Sequence, residues 1–110
     1  MKIIFHKKLA SGKWFKFSLA EQLANIGSEA SRASRWQGRD EKLFQGAVYR
    51  ALELFDLTLS DSRWRGRRWE IARVRETFCD AVFGGKEYKS SFKDLVRYFD
   101  QFTYVARKEM

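Results

Sequence analysis

The sequence predicts an all-α protein, an antiparallel up-down four-helix bundle with a short N-terminal arm or β-hairpin. Three observations predict it. Apolar residues recur at helical spacing over four separate stretches. Helix-start residues (Ser18, Asp40 and Ser91) precede three of them. The connections are short, which favours antiparallel neighbours. At 110 residues the chain has the size of one domain with a modest core, divided into an arm or hairpin over 1–17 and the bundle over 18–110.

Ser18-Leu19-Ala20-Glu21 fits a capping box, in which hydroxyl and carboxylate each satisfy an orphan amide. The first helix then runs to about Gly38. Leu19, Leu23, Ile26, Ala30 and Ala33 make its apolar stripe. Beside it Ala20, Ala24, Gly27, Ser31 and Ser34 form a stripe of small residues, against which a neighbouring backbone can pack closely. Asp40 caps a second helix running to about Ser60. Its apolar residues, from Leu43 to Leu59, cover more than half its circumference, so it is either central in the core or shared with another chain. A dimer or higher closed oligomer is therefore expected.

The third helix is expected from about Arg63 to Phe83, facing inward with Ile71, Val74, Phe78 and Val82 and stopped by Gly84-Gly85. Ser91 with Asp94 starts the fourth, whose stripe runs from Phe92 to Ala106. Proline is absent, so glycines and caps must end every helix. Residues 2–17 break the pattern. KIIFHKK and KWFKF flank a turn candidate and read as a hairpin, which would have to lean on the bundle or another subunit, or else as a partly ordered arm.

Twenty-two Lys and Arg against fourteen Asp and Glu leave a formal charge of +8, which favours an anionic partner such as nucleic acid. Cys79 stands alone and can form no internal disulfide, in keeping with a reducing, cytoplasmic location. The opening MKIIFHKK holds too short an apolar run for a signal-peptide core, and no run approaches a membrane span.

Most enzyme classes are disfavoured. His6 is the only histidine and lies in the arm, which argues against Cys/His metal sites and a Cys–His nucleophile on the bundle. Cys79 reads as a small packing residue. No Gly-rich phosphate loop is present. Some four-helix ribonucleases of the HEPN class use an Arg closely followed by a catalytic His, and no His follows any Arg here. Glu53 with Asp56, and Glu76 with Asp80, resemble the carboxylate pairs of all-α pyrophosphatases. In an antiparallel hairpin, however, the two pairs are roughly 10–15 Å apart along the axes and do not converge on one ion. The expectation is a non-enzymatic protein without cofactor or metal.

The densest signal is RWRGRRWEIARVR, residues 63–75, with six arginines and two tryptophans. Arg75 falls on the apolar face and is expected to bridge to a carboxylate such as Glu29. Trp69 falls on a polar face, four residues before Arg73, where guanidinium can stack on indole. That stack is either all Trp69 does or part of a partner surface. Arg63, Arg65, Arg67 and Arg68 crowd a helix start, where the macrodipole disfavours cations unless an anion is bound. In an up-down bundle they share a pole with Lys13, Lys16, Arg107 and Lys108, and with Lys7 and Lys8 if the arm folds back. Asp56, Asp61, Glu70 and Glu109 offset this only in part. Lys13, Lys16, Arg63, Arg65, Arg67, Arg68, Trp69, Arg73, Arg107 and Lys108 are the candidate nucleic-acid-binding residues. A short echo, SRWQGR at 34–39 and SRWRGR at 62–67, places its two copies at opposite poles.

SLAEQLANIGSEASRA (18–33), RALELFDLTLSD (50–61), RWRGRRWEIARVRE (63–76) and KDLVRYFDQF (93–102) resemble a group of small, uncharacterised prokaryotic four-helix-bundle proteins. The resemblance covers most of the chain from residue 18 onward and implies a shared fold, with no activity attached. At fold level the chain is similar to retroelement accessory proteins and ribosomal intervening-sequence proteins, which associate with RNA. The leading expectation is binding of RNA or DNA phosphates without strong sequence readout. The alternative is a protein-interaction or oligomerisation module with an acidic protein partner or a second copy. An all-α nucleotide hydrolase ranks third.

Overall fold

A computed structural model describes residues 12–84 and 91–108, and all of its regular structure is helical. Four α-helices span Leu19–Trp36 (α1), Glu41–Ser60 (α2), Arg68–Val82 (α3) and Phe92–Lys108 (α4). Single 3-10 segments cover Lys13–Lys16 and Ser62–Arg67.

The start signals act as expected. The Ser18 hydroxyl accepts from the Glu21 amide at 3.1 Å, and the Glu21 carboxylate accepts from the Ser18 amide at 3.0 Å. Asp40 Oδ1 accepts from the Leu43 amide at 3.0 Å, and Ser91 Oγ from the Asp94 amide at 3.2 Å. At the end of α3, Gly84 takes a φ of +98°, the left-handed region in which a side chain is strained.

α1 packs along both α2 and α4, while α3 rests chiefly on α2. Ile26, Ala30 and Ala33 are fully buried in the middle, with Ala47, Ala51 and Phe55 of α2 beside them. Aromatic contacts knit in the other two helices. Phe55 lies 5.7 Å from Phe78 and 6.3 Å from Phe99 between ring centroids, and Phe92 bridges Phe44 and Phe78 at 6.1 and 5.8 Å. The small-residue stripe serves its expected purpose at Gly27, where an added Cβ would stand 2.5 Å from the Phe99 Cβ. α4 thus approaches α1 to a distance only glycine permits.

Three expectations change. KWFKF is not the return strand of a hairpin: residues 13–16 form a 3-10 turn that buries Trp14 completely. The other half of the hairpin candidate, within 1–11, lies outside the described residues. The third helix does not begin at Arg63, because Asp61 accepts from the Arg63 amide at 3.0 Å and Trp64 leaves helical geometry at φ −102°, ψ 21°. A carboxylate capping the amide two residues on draws the chain into a tight turn, and Gly66 offers little resistance to it. Arg75 bridges not to Glu29 but to Asp56 of α2, at 3.1 Å. Since α3 rests on α2, the carboxylate within reach belongs to that helix, and Glu29 is taken by Arg50 at 2.9 Å and Arg32 at 2.5 Å.

Candidate nucleic-acid interface

A buried polar network organises the end of the bundle where α1 begins and α2 ends. Trp14 donates its indole N–H to Thr58 Oγ1 at 3.0 Å. The Gln22 amide donates to the Trp14 carbonyl and to Asp61 Oδ2, both at 3.0 Å, and its Oε1 accepts from the Trp64 indole at 2.9 Å. Gln22, Thr58 and Trp14 are all fully buried, and this network satisfies their polar side-chain atoms. The chain therefore ties its segment 13–17 to α2 through the Trp14–Thr58 bond and to α1 through Gln22.

Arg63 closes the network on its solvent side. Its guanidinium donates to Asp61 Oδ2 and to the Phe17 carbonyl, both at 2.7 Å, and lies 4.5 Å from the centroid of the Trp64 ring. The hydrogen bond from Arg63, aided by that from Gln22, holds the Asp61 carboxyl below the usual carboxylate range against the opposing effect of burial. Asp61 in turn raises the Arg63 guanidinium.

The remaining arginines divide by partner. Arg67 pairs with Glu70 at 3.1 Å, and Arg68 donates to the Leu59 carbonyl, also at 3.1 Å. α3 begins only at Arg68, so Arg63 and Arg65 lie outside its first turn and escape most of its dipole. Glu70 sits in that turn and offsets the others. The crowding of cations is thus relieved from within the chain and does not by itself demand a bound anion. Among the described residues Arg65, Lys13 and Lys16 are exposed and have no ion pair or hydrogen-bond partner for their side chains.

Trp69 is 77% exposed, with the Arg73 guanidinium 5.8 Å from its ring centroid, so the expected stack forms. The structure brings Lys13 and Lys16 to the arginine segment through the Arg63–Phe17 bond. Among the described residues no hydrogen bond or ion pair ties Arg107 to that segment. Lys108 folds over Tyr104, 5.1 Å from the ring centroid. Lys7, Lys8 and Glu109 lie outside the described residues. The two copies of the echo do sit apart: Trp36 ends α1, whereas Trp64 bonds to Gln22 in its first turns, about 21 Å away along the axis.

Sequence reading missed Trp14, Gln22 and Thr58. The signal for Gln22 was its phase, three residues after Leu19 and four before Ile26, which puts an amide on the inward face.

A second feature lies further along α2. A groove of about 360 Å³ opens between α2 and the end of α3, lined by Phe44, Val48, Tyr49, Leu52, Cys79 and Phe83. Phe83 is 79% exposed at its mouth. Burial pushes the Cys79 thiol up, away from the reactive thiolate. Among the described residues no group of three His, Cys, Asp or Glu is placed to hold a metal ion, and no helix is long and apolar enough to cross a membrane. No family model matches the chain, and no curated protein or solved structure matches it either.

Proposed function

We propose that this chain is a non-enzymatic helical bundle that binds the phosphates of RNA or DNA without strong sequence readout. The observation that carries the reading is the Arg63–Phe17 bond at 2.7 Å, which gathers cations from two distant segments. Lys13 and Lys16 on one, and Arg65 on the other, have no partner among the described residues and are available to phosphate oxygens. The formal charge of +8 adds long-range attraction for a polyanion. A lone cysteine suits a reducing cytoplasm. An antiparallel course of the first three helices is supported by pairs whose numbers run oppositely: Gln22 with Asp61 and Glu29 with Arg50, then Asp56 with Arg75 and Leu59 with Arg68.

The test is the triple variant Lys13→Glu, Lys16→Glu, Arg65→Glu. None of these side chains supports the fold, so its circular dichroism should match the wild type. Binding to RNA and DNA oligonucleotides should weaken alike for every sequence, by at least about tenfold at about 50 mM salt. A folded variant that binds as the wild type does would refute the reading.

One observation favours a second reading, a protein-interaction or oligomerisation module. The groove beside α2 has a bulky apolar rim in Phe83 and Tyr49. Light scattering that gives a dimer in the wild type and a monomer in Phe83→Glu would support it; a monomer in both would exclude self-association.

A further inference from the structure

We propose that Trp69 is a base-stacking platform, so that the preferred partner is single-stranded nucleic acid rather than duplex. The inference rests on the phosphate-binding reading above and adds the part of the ligand that is not phosphate.

The four tryptophans divide sharply. Trp14 is buried, Trp36 and Trp64 pack against the core, and Trp69 alone stands in solvent. Trp69 lies about 160° round α3 from the buried Ile71, so its indole points away from the core. Arg75 and Arg68 mark the flank of α3 that meets α2, and Ile71 and Phe78 the side that enters the core. Trp69 lies about 100–120° round the helix from the first and on the far side from the second, where no described part of the fold covers it. Arg73, one turn on, sets its guanidinium over one face of the ring. At 77% exposure, the opposite face remains open to water.

A flat apolar ring held by a cation on one side and open on the other matches the face of a nucleobase. The base stacks on the open face, and the guanidinium polarises the indole from behind. Arg65, four residues upstream and without a partner among the described residues, supplies a cation for a neighbouring phosphate. In a duplex the bases are already stacked on one another and present no free face, which is the source of the selectivity. The same surface gives no reason to prefer one base, because every base has such a face.

Fluorescence anisotropy with labelled oligothymidylate, oligouridylate and a mixed-sequence duplex of equal length, at about 50 mM salt, tests this. Trp69→Ala should weaken binding to one or both single strands by about 5- to 100-fold and change duplex binding less than about twofold, while Trp69→Phe retains most of the affinity. The two single strands distinguish a ribose from a deoxyribose ligand. Trp69 supports no buried contact, so circular dichroism of both variants should be native. Equal losses on single strand and duplex, or no loss on either, would overturn the stacking role and leave phosphate binding standing. Absence of binding by the wild type to all three probes would refute the phosphate reading and this one with it.

Discussion

Trp64 donates its indole N–H to Gln22 at 2.9 Å, joining the turn after α2 to the first turns of α1 across 42 residues of chain. The same Gln22 side chain donates to Trp14 and Asp61, so one amide fastens three segments. Through Asp61 it reaches Arg63, and through Arg63 the backbone at Phe17. The arrangement of the basic end therefore depends on a neutral residue inside the bundle.

Replacing Gln22 by Leu keeps the volume but leaves the Trp64 N–H without its partner, while the Trp14 carbonyl keeps the Phe17 amide at 3.1 Å and Asp61 keeps Arg63. One such orphan costs about 1–3 kcal/mol, and the variant should be less stable by that amount in urea denaturation. A loss under about 0.5 kcal/mol would mean that the network contributes little to folding.

The Asp61–Arg63 pair sets a pH dependence. The carboxyl titrates lower in the folded chain than in the unfolded one, where it is near 3.9. Its contribution is therefore complete above about pH 5 and is lost as pH falls through the folded value. The stability difference between wild type and Asp61→Asn should shrink as pH falls from about 5 to 2. A difference that stays constant over that range would show that the charge on Asp61 is not what stabilises the turn.

Gly27→Ala tests the close approach of α4. Alanine is the better helix former by about 1 kcal/mol, but its methyl would overlap the Phe99 Cβ, which cannot swing aside as a side-chain tip could. The overlap should win, with a net loss of about 1–3 kcal/mol. A gain in melting temperature would show that the helices have room between them.

Much of the fold was legible because caps and apolar phase are local properties. Ser18 with Glu21, Asp40 and Ser91 with Asp94 mark starts without reference to the rest of the chain. What was not legible depended on partners distant in sequence. KWFKF is rich in the aromatic residues that favour strands, but Trp14 finds Thr58, 44 residues away, and burial of the indole outweighs local preference. Arg75 was placed on the apolar face by phase, yet its partner turned on which helix lies beside α3. The arginine run was conspicuous in sequence, and only three-dimensional contacts separate Arg63, a structural residue, from Arg65, which has no partner among the described residues.

That separation makes a paired prediction. Arg63→Ala should lower stability by about 1–3 kcal/mol, because Asp61 is left buried without its charged partner. Arg65→Ala should leave stability within about 0.5 kcal/mol and weaken oligonucleotide binding. The reverse assignment in thermal melts would mean that the two arginines have exchanged roles.

The most direct measurement of the central claim is the salt dependence of binding to a single-stranded oligonucleotide by the wild-type chain. Neutralising about four to six phosphates gives a slope of log K against log salt of roughly −3 to −5. Reversing Lys13, Lys16 and Arg65 should flatten that slope by about 1 for each phosphate no longer neutralised. Binding with no salt dependence, or no binding at about 50 mM salt, would contradict the account and leave the basic end a solvated surface.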